Sequence, residues 1–201
     1  MGIGSGLSCS IPPLNLSEVN KALIALIKNP NAKDDKIMCY PDFPTGGHIL
    51  NKDVVRESML KGHGKSCIVQ AVIEFDPKQR ALIVKELPYS TYTNTIAKEL
   101  RQLLDDPDYE DCGIKRFDDF TGEKVNFVIY LTPKANEQEV LNLLYKKTSL
   151  RTHFSINMIL LDKGIAPKHF TLREMFLAYI NHQRNINVAM NLIEKKLYIV
   201  S

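Results

Sequence analysis

The chain has 201 residues, 44% of them hydrophobic and 24% charged, with a formal net charge of +3. That length and balance predict a real core in one domain, or in one domain with an appendage, and exclude the disordered, collagen-like and membrane classes. No run approaches the roughly 18 apolar residues needed to cross a bilayer, and no basic-then-apolar leader opens the chain, so a cytoplasmic protein without membrane contact is expected.

Pro12-Pro13 fixes an extended lead-in, and Asn15 is placed to cap a helix whose apolar positions Val19, Leu23, Leu26 and Ile27 follow the helical period, ending near Asn29-Pro30. Residues 30–47, rich in proline, glycine and polar side chains, read as a loop, and a short helix from about Asp53 to Leu60 follows. Cys67 to Phe75 and Arg80 to Glu86, two β-branched runs joined by Asp76-Pro77-Lys78-Gln79, carry a hairpin signature. Ile96, Leu100, Leu103 and Leu104 stripe a helix beginning near Thr93. Strands are then expected around Ile114 to Phe117 and Val125 to Leu131. Asn136 is positioned to cap a helix bearing Val140, Leu141, Leu144 and Tyr145; Phe154 to Leu161 reads as one strand-like run. Thr171 with Glu174 three residues on forms a capping box for a long terminal helix. On that helix the broad apolar face of Leu172, Met175, Phe176, Tyr179 and Ile180 narrows to Ile186, Met190, Ile193 and Leu197, close to the coiled-coil period. Hairpins separated by helices predict an α+β fold with a largely antiparallel sheet, flanking helices and a long C-terminal helix.

Chemistry is constrained by what is scattered. Cys9, Cys39, Cys67 and Cys112 form no Cys-x-x-Cys pair, which removes the usual zinc spacings and leaves reduced structural thiols. The adjacent pairs Asp34-Asp35, Asp105-Asp106 and Asp118-Asp119 do not converge their side chains on one site. No His-Glu-x-x-His, Walker loop, Gly-x-Ser-x-Gly elbow or nucleotide fingerprint occurs. Charge is uneven: residues 105–123 hold eight acidic side chains against Lys115 and Arg116, a local balance of −6 that leaves +9 to the remainder. Only that remainder offers a face to a polyanion.

Three blocks, GIGSGLSCSIPPLNL at 2–16, YPDFPTGG at 40–47 and SLRTHFSINMILLDKGI at 149–165, supported by Glu86-Leu87-Pro88-Tyr89, resemble in order the A subunit of bacterial type IIA DNA topoisomerases, gyrase and topoisomerase IV. The resemblance implies an extended segment over 1–15 following a winged-helix domain, a tower-type α+β domain over 16–170, and over 171–201 a long helix forming the base of a coiled coil. It implies double-stranded DNA as ligand, a topoisomerase B subunit for partner and an A-subunit homodimer in the full-length protein, with magnesium and ATP used through the B subunit and no cofactor in this piece. The family's nucleophilic tyrosine follows an arginine; no tyrosine here does, so the resemblance places that residue upstream of residue 1. The chain is accordingly expected to support and bend the gate DNA segment, to be unable to cut alone, and to behave as a monomer when isolated.

Ile3, flanked by glycines, occupies the family's wedge position, where an apolar side chain inserts between base pairs; a frayed terminal residue is the bland alternative. Lys61-Gly62-His63-Gly64-Lys65 offers amides and cations to phosphate, with Lys61, His63 and Lys65 as candidates. The family's usual Gly-Arg-Gly has His63 in place of arginine, and Cys67 to Ala71 carry none of the further arginines. Lys146, Lys147 and Arg151 complete the candidate DNA-binding set; they are equally suited to the C-terminal end of a helix. The rival function is a non-catalytic interaction scaffold derived from a topoisomerase, docking protein through its acidic stretch or terminal helix.

Overall fold

The computed structural model describes the backbone of residues 2–4, 7–162 and 166–200 and the side chains of 8–161 and 166–190. In chain order, strands β1 (Gly2–Gly4) and β2 (Leu7–Cys9) precede helices α1 (Leu16–Lys28) and α2 (Asp34–Ile37). Then come β3 (His48–Ile49), α3 (Lys52–Lys61), β4 (Cys67–Gln70), β5 (Val72–Asp76), β6 (Ala81–Glu86) and α4 (Thr93–Asp105). A 3-10 turn at Pro107–Tyr109 leads to β7 (Ile114–Asp119), β8 (Phe127–Leu131), α5 (Glu137–Lys147) and β9 (Arg151–Phe154). Strands β10 (Ile159–Asp162) and β11 (Ala166–His169) and helix α6 (Leu172–Val200) complete the chain. Every pairing among the described strands is antiparallel, so the fold is α+β as expected. No helix of the described residues is long and apolar enough to cross a membrane.

The chain forms two compact units: Met1–Pro41, Asp53–Lys65 and Ser155–Ser201 make the first, Asp42–Lys52 and Ser66–Phe154 the second. In the first, Asn15 caps α1, its Oδ1 accepting from the amides of Ser17 at 3.0 Å and Glu18 at 3.4 Å, and Ala22 and Leu26 are buried. The stretch expected to be all loop contains α2. Its N-cap Lys33 makes no side-chain cap; the turn is held by full burial of Ile37, a tertiary cause without local signal. The capping box forms: the Thr171 amide donates to Glu174 Oε2 at 2.9 Å, and the Glu174 amide to Thr171 Oγ1 at 3.1 Å. That backbone bond first, and Lys168 after it, hold the Glu174 carboxyl below its ordinary range. Of the broad face on α6, Leu172, Phe176 and Ile180 are buried and Tyr179 is half exposed; farther on, Ile186 and Met190 are exposed. The side chains of Ile193 and Leu197 lie outside the described residues.

In the second unit, the expected single hairpin is split. Ala71, whose amide donates to the Leu150 carbonyl at 2.8 Å, interrupts the apolar run. Strand β4 then pairs with β3 and β9, while β5 joins a four-stranded sheet ordered β5-β6-β8-β7. The turn from Asp76 to Gln79 does close a hairpin, with Asp76 Oδ1 accepting from the Lys78 amide at 2.9 Å. Leu82, Val84, Ile96, Leu100, Leu103, Phe127, Ile129, Leu144 and Leu150 pack as the core under this sheet, each buried side chain contributing about 1.5–3 kcal/mol. The cap at Asn136 forms, accepting from the Gln138 amide at 3.0 Å. The run from Phe154 to Leu161 is two strands rather than one: Phe154 pairs with Cys67, and Ile159 with His169. Burial pushes the Cys39 and Cys67 thiols up to about 11, which suits structural thiols.

Candidate nucleic-acid interface

The glycine loop after α3 is built by backbone contact. Gly62 has φ +78°, and a Cβ on it would lie 1.9 Å from the Phe170 carbonyl oxygen, so only glycine fits. Its own carbonyl accepts from the Met158 amide at 2.7 Å, and the Met158 carbonyl accepts from the Phe170 amide at 2.9 Å. Gly64, at φ +149°, passes so close to Ser58 that a Cβ would meet Oγ at 2.7 Å, and Ser58 Oγ donates to the Lys65 carbonyl at 3.0 Å. Glu57, Ser58, Lys61, His63, Gly64 and Lys65 line a shallow depression of about 260 Å³.

The electrostatics of that loop are mixed. Lys61 Nζ donates to Glu57 Oε1 at 2.5 Å, so one candidate cation is already paired on its own helix. That bond first, with Lys65 adding to it, holds the Glu57 carboxyl below its ordinary range. Lys65 is exposed. His63 packs against His169, ring centroids 4.8 Å apart and planes tilted by 59°.

Asn157 ties this loop to the N-terminal hairpin, a role the sequence did not reveal. Its backbone bridges both Ser10 and His63, exchanging bonds of 2.8 and 2.9 Å with Ser10, and its Nδ2 donates to the Ser8 carbonyl at 2.7 Å. Ser8 is the register partner of Ile3 in the β1–β2 pair. Ile3 therefore has an extended, paired backbone; its side chain lies outside the described residues.

The remaining candidates belong to the second unit. Arg151 donates through Nε and Nη2 to Gln70 Oε1 at 3.1 and 2.7 Å, and its guanidinium lies 4.9 Å from the Tyr145 ring centre, so its head group is fixed. Lys147 Nζ sits 4.9 Å from the Tyr109 ring centre; Tyr109 foremost, with Asp106 and Asp108, raises its hold on its proton. Lys147 thus lies in the field of part of the acidic stretch, and both it and Lys146 are exposed. The seven candidates are divided between the units, Ile3, Lys61, His63 and Lys65 in the first and Lys146, Lys147 and Arg151 in the second.

The family model describing the A subunits of DNA gyrase and topoisomerase IV matches residues 1–198. The chain is 35% identical over 191 residues to the DNA gyrase A subunit of Kosmotoga olearia, covering 92% of the chain and 23% of that protein. It is 33% identical over 210 residues to the DNA gyrase A subunit of Buchnera aphidicola, covering 99% and 25%, and 31% identical over 211 residues to the DNA topoisomerase 4 A subunit of Staphylococcus epidermidis, covering 99% and 26%. It spans about a quarter of the length of these curated relatives. With the model matching nearly every residue and relatives of both kinds aligned along the same chain, the protein belongs to the DNA gyrase/topoisomerase IV A-subunit family.

Proposed function

We propose that this chain supports and bends the gate DNA segment for the A subunit of a type II topoisomerase during double-strand passage. The observation that carries the proposal is the glycine-built loop presenting Lys61, His63 and Lys65, tied through Asn157 to the strand opposite Ile3. Phosphate contacts from such a loop position a duplex without reading its sequence. In this reading residues 1–15 lead in along the duplex, 16–170 serve as the tower-type DNA-supporting domain, and 171–201 form the base of a coiled coil. The partners are double-stranded DNA, a B subunit that handles magnesium and ATP, and a second A subunit. None of the eight tyrosines follows an arginine, so the 201-residue polypeptide is assigned a supporting role and no cleavage of its own.

The scaffold reading is favoured by a different observation: Lys61 and Lys147 are answered by acidic neighbours, while Ile186, Val188 and Met190 on α6 are exposed. Fluorescence anisotropy of a labelled duplex, titrated with the chain between roughly 50 and 200 mM salt, separates the two. DNA support predicts weak, sequence-independent affinity falling steeply with salt, and a slope about 0.9 smaller for each contact removed by Lys61→Glu and Lys65→Glu. Absence of binding at low salt favours the scaffold, and undiminished binding by the double variant moves the contact surface elsewhere.

A further inference from the structure

We propose that His63 and His169 form a two-histidine site for a borderline transition-metal dication of the zinc class, whose remaining coordination positions take phosphate oxygens of the bound duplex. The second half of this statement rests on the DNA-support reading; the first does not. The two imidazoles stand with ring centroids 4.8 Å apart and planes at 59°, and both are exposed. Two imidazoles sharing one ion through metal–nitrogen bonds of about 2.1 Å place their ring centres roughly 5 Å apart, a separation this pair already has, and binding requires in addition that one nitrogen of each ring face the common ion.

The pair is set by the backbone. His63 bridges Asn157 and His169 pairs with Ile159, so both side chains spring from segments hydrogen-bonded to residues 157–159. The bonds from Met158 to Gly62 and from Phe170 to Met158 flank them, and Gly62 admits no other residue against Phe170. Such a frame lowers the cost of bringing two ligands together.

Neutral imidazole is a ligand for zinc, nickel and copper and a poor one for magnesium or calcium, which defines the class of ion. Among the described residues no group of three or more histidine, cysteine, aspartate or glutamate side chains could hold a metal ion, so a dication held by these two imidazoles would have its remaining positions open to water or to another ligand. A bound dication adds two positive charges beside Lys65, in a loop whose Lys61 is already paired with Glu57. It thereby supplies at His63 the anion-attracting charge that an imidazole by itself lacks.

The test uses the untagged chain with Zn2+ alone in competition with a chromophoric chelator, comparing wild type with His63→Gln and His169→Gln. Each single variant is expected to weaken the tightest Zn2+ binding at least tenfold, with wild-type urea midpoints showing that the exposed substitutions leave the fold intact. Unchanged Zn2+ affinity in either variant, or no binding by wild type at about 100 μM Zn2+, overturns the site. Duplex anisotropy with and without Zn2+ then tests the phosphate positions. A gain in affinity present in wild type and lost in both variants is expected, and an equal gain in the variants overturns that half. Failure of wild type to bind duplex at low salt in either condition refutes the DNA-support reading, while the chelator competition still decides the metal site.

Discussion

Replacing Gly62 by alanine probes the backbone frame on which the proposed interface depends. At φ +78° an L-residue costs about 1 kcal/mol relative to glycine. The added Cβ would sit 1.9 Å from the Phe170 carbonyl oxygen, where ordinary contact begins at 3.4 Å, so the opposing backbone must retreat by about 1.5 Å. That retreat breaks the bonds from Met158 to Gly62 and from Phe170 to Met158, each worth about 1 kcal/mol net, for a total near 3 kcal/mol. With a urea slope of about 2 kcal/mol per molar, the midpoint should fall by about 1.5 M. The chain has no tryptophan, so unfolding is followed by far-ultraviolet circular dichroism. Gly64→Ala should be milder, because Ser58 Oγ can rotate away at the expense of its bond to Lys65. Gly122→Ala is the control, with nothing within 4 Å of the new Cβ and an expected change within about 0.5 kcal/mol. A Gly62→Ala midpoint within about 0.3 M of the Gly122→Ala midpoint would refute the close contact at Phe170.

Asn157→Ala removes the bond to the Ser8 carbonyl and should cost about 1 kcal/mol locally, seen as roughly fivefold faster hydrogen exchange at the Ser10 amide; unchanged exchange would show the side chain to be dispensable. If Ile3 is the apolar wedge that the resemblance implies, Ile3→Ala in a type II topoisomerase A subunit carrying this chain should leave the salt slope of DNA binding unchanged while reducing bend angle and cleavage together, and equal bending in a fluorescence-transfer assay refutes the wedge. The Glu174 carboxyl is depressed below its ordinary value of 4.5, so its contribution is present at neutral pH and lost as pH falls through the lower folded value. The stability difference between wild type and Glu174→Gln should therefore shrink as pH drops below 4.5, and a pH-independent difference would dissociate the cap from that charge.

Elements announced by a local signal were legible in the sequence. Asn15, Asn136 and the Thr171–Glu174 pair each carry the side-chain chemistry that closes a helix, and each forms the expected bonds. The breaks at Ala71 and after Phe154 were not legible, because an apolar run of alternating residues looks the same whether one sheet or two receive it. What divides it is a partner distant in sequence, Leu150 for Ala71 and Cys67 for Phe154. The site behaved alike. The glycine loop could be seen locally, whereas His169 beside His63 and Tyr109 beside Lys147 are contacts between remote segments. Asn157 reads locally as a packing residue, since nothing in its neighbours shows the two remote segments, at Ser8–Ser10 and at His63, that it joins.

The discontinuous make-up of the first unit sets an order of events during synthesis. The second unit is complete once residue 154 has left the ribosome, whereas the first still lacks everything from Ser155 onward. The Lys61–Lys65 loop in particular waits for Asn157, Met158 and Phe170, which supply its hydrogen bonds and close contacts. A nascent chain halted before residue 155 would therefore hold every residue of the sheet unit but none of the partners of the Lys61–Lys65 loop, so any grip on duplex that depends on this loop, as proposed, arises only once the residues after Phe154 have been added.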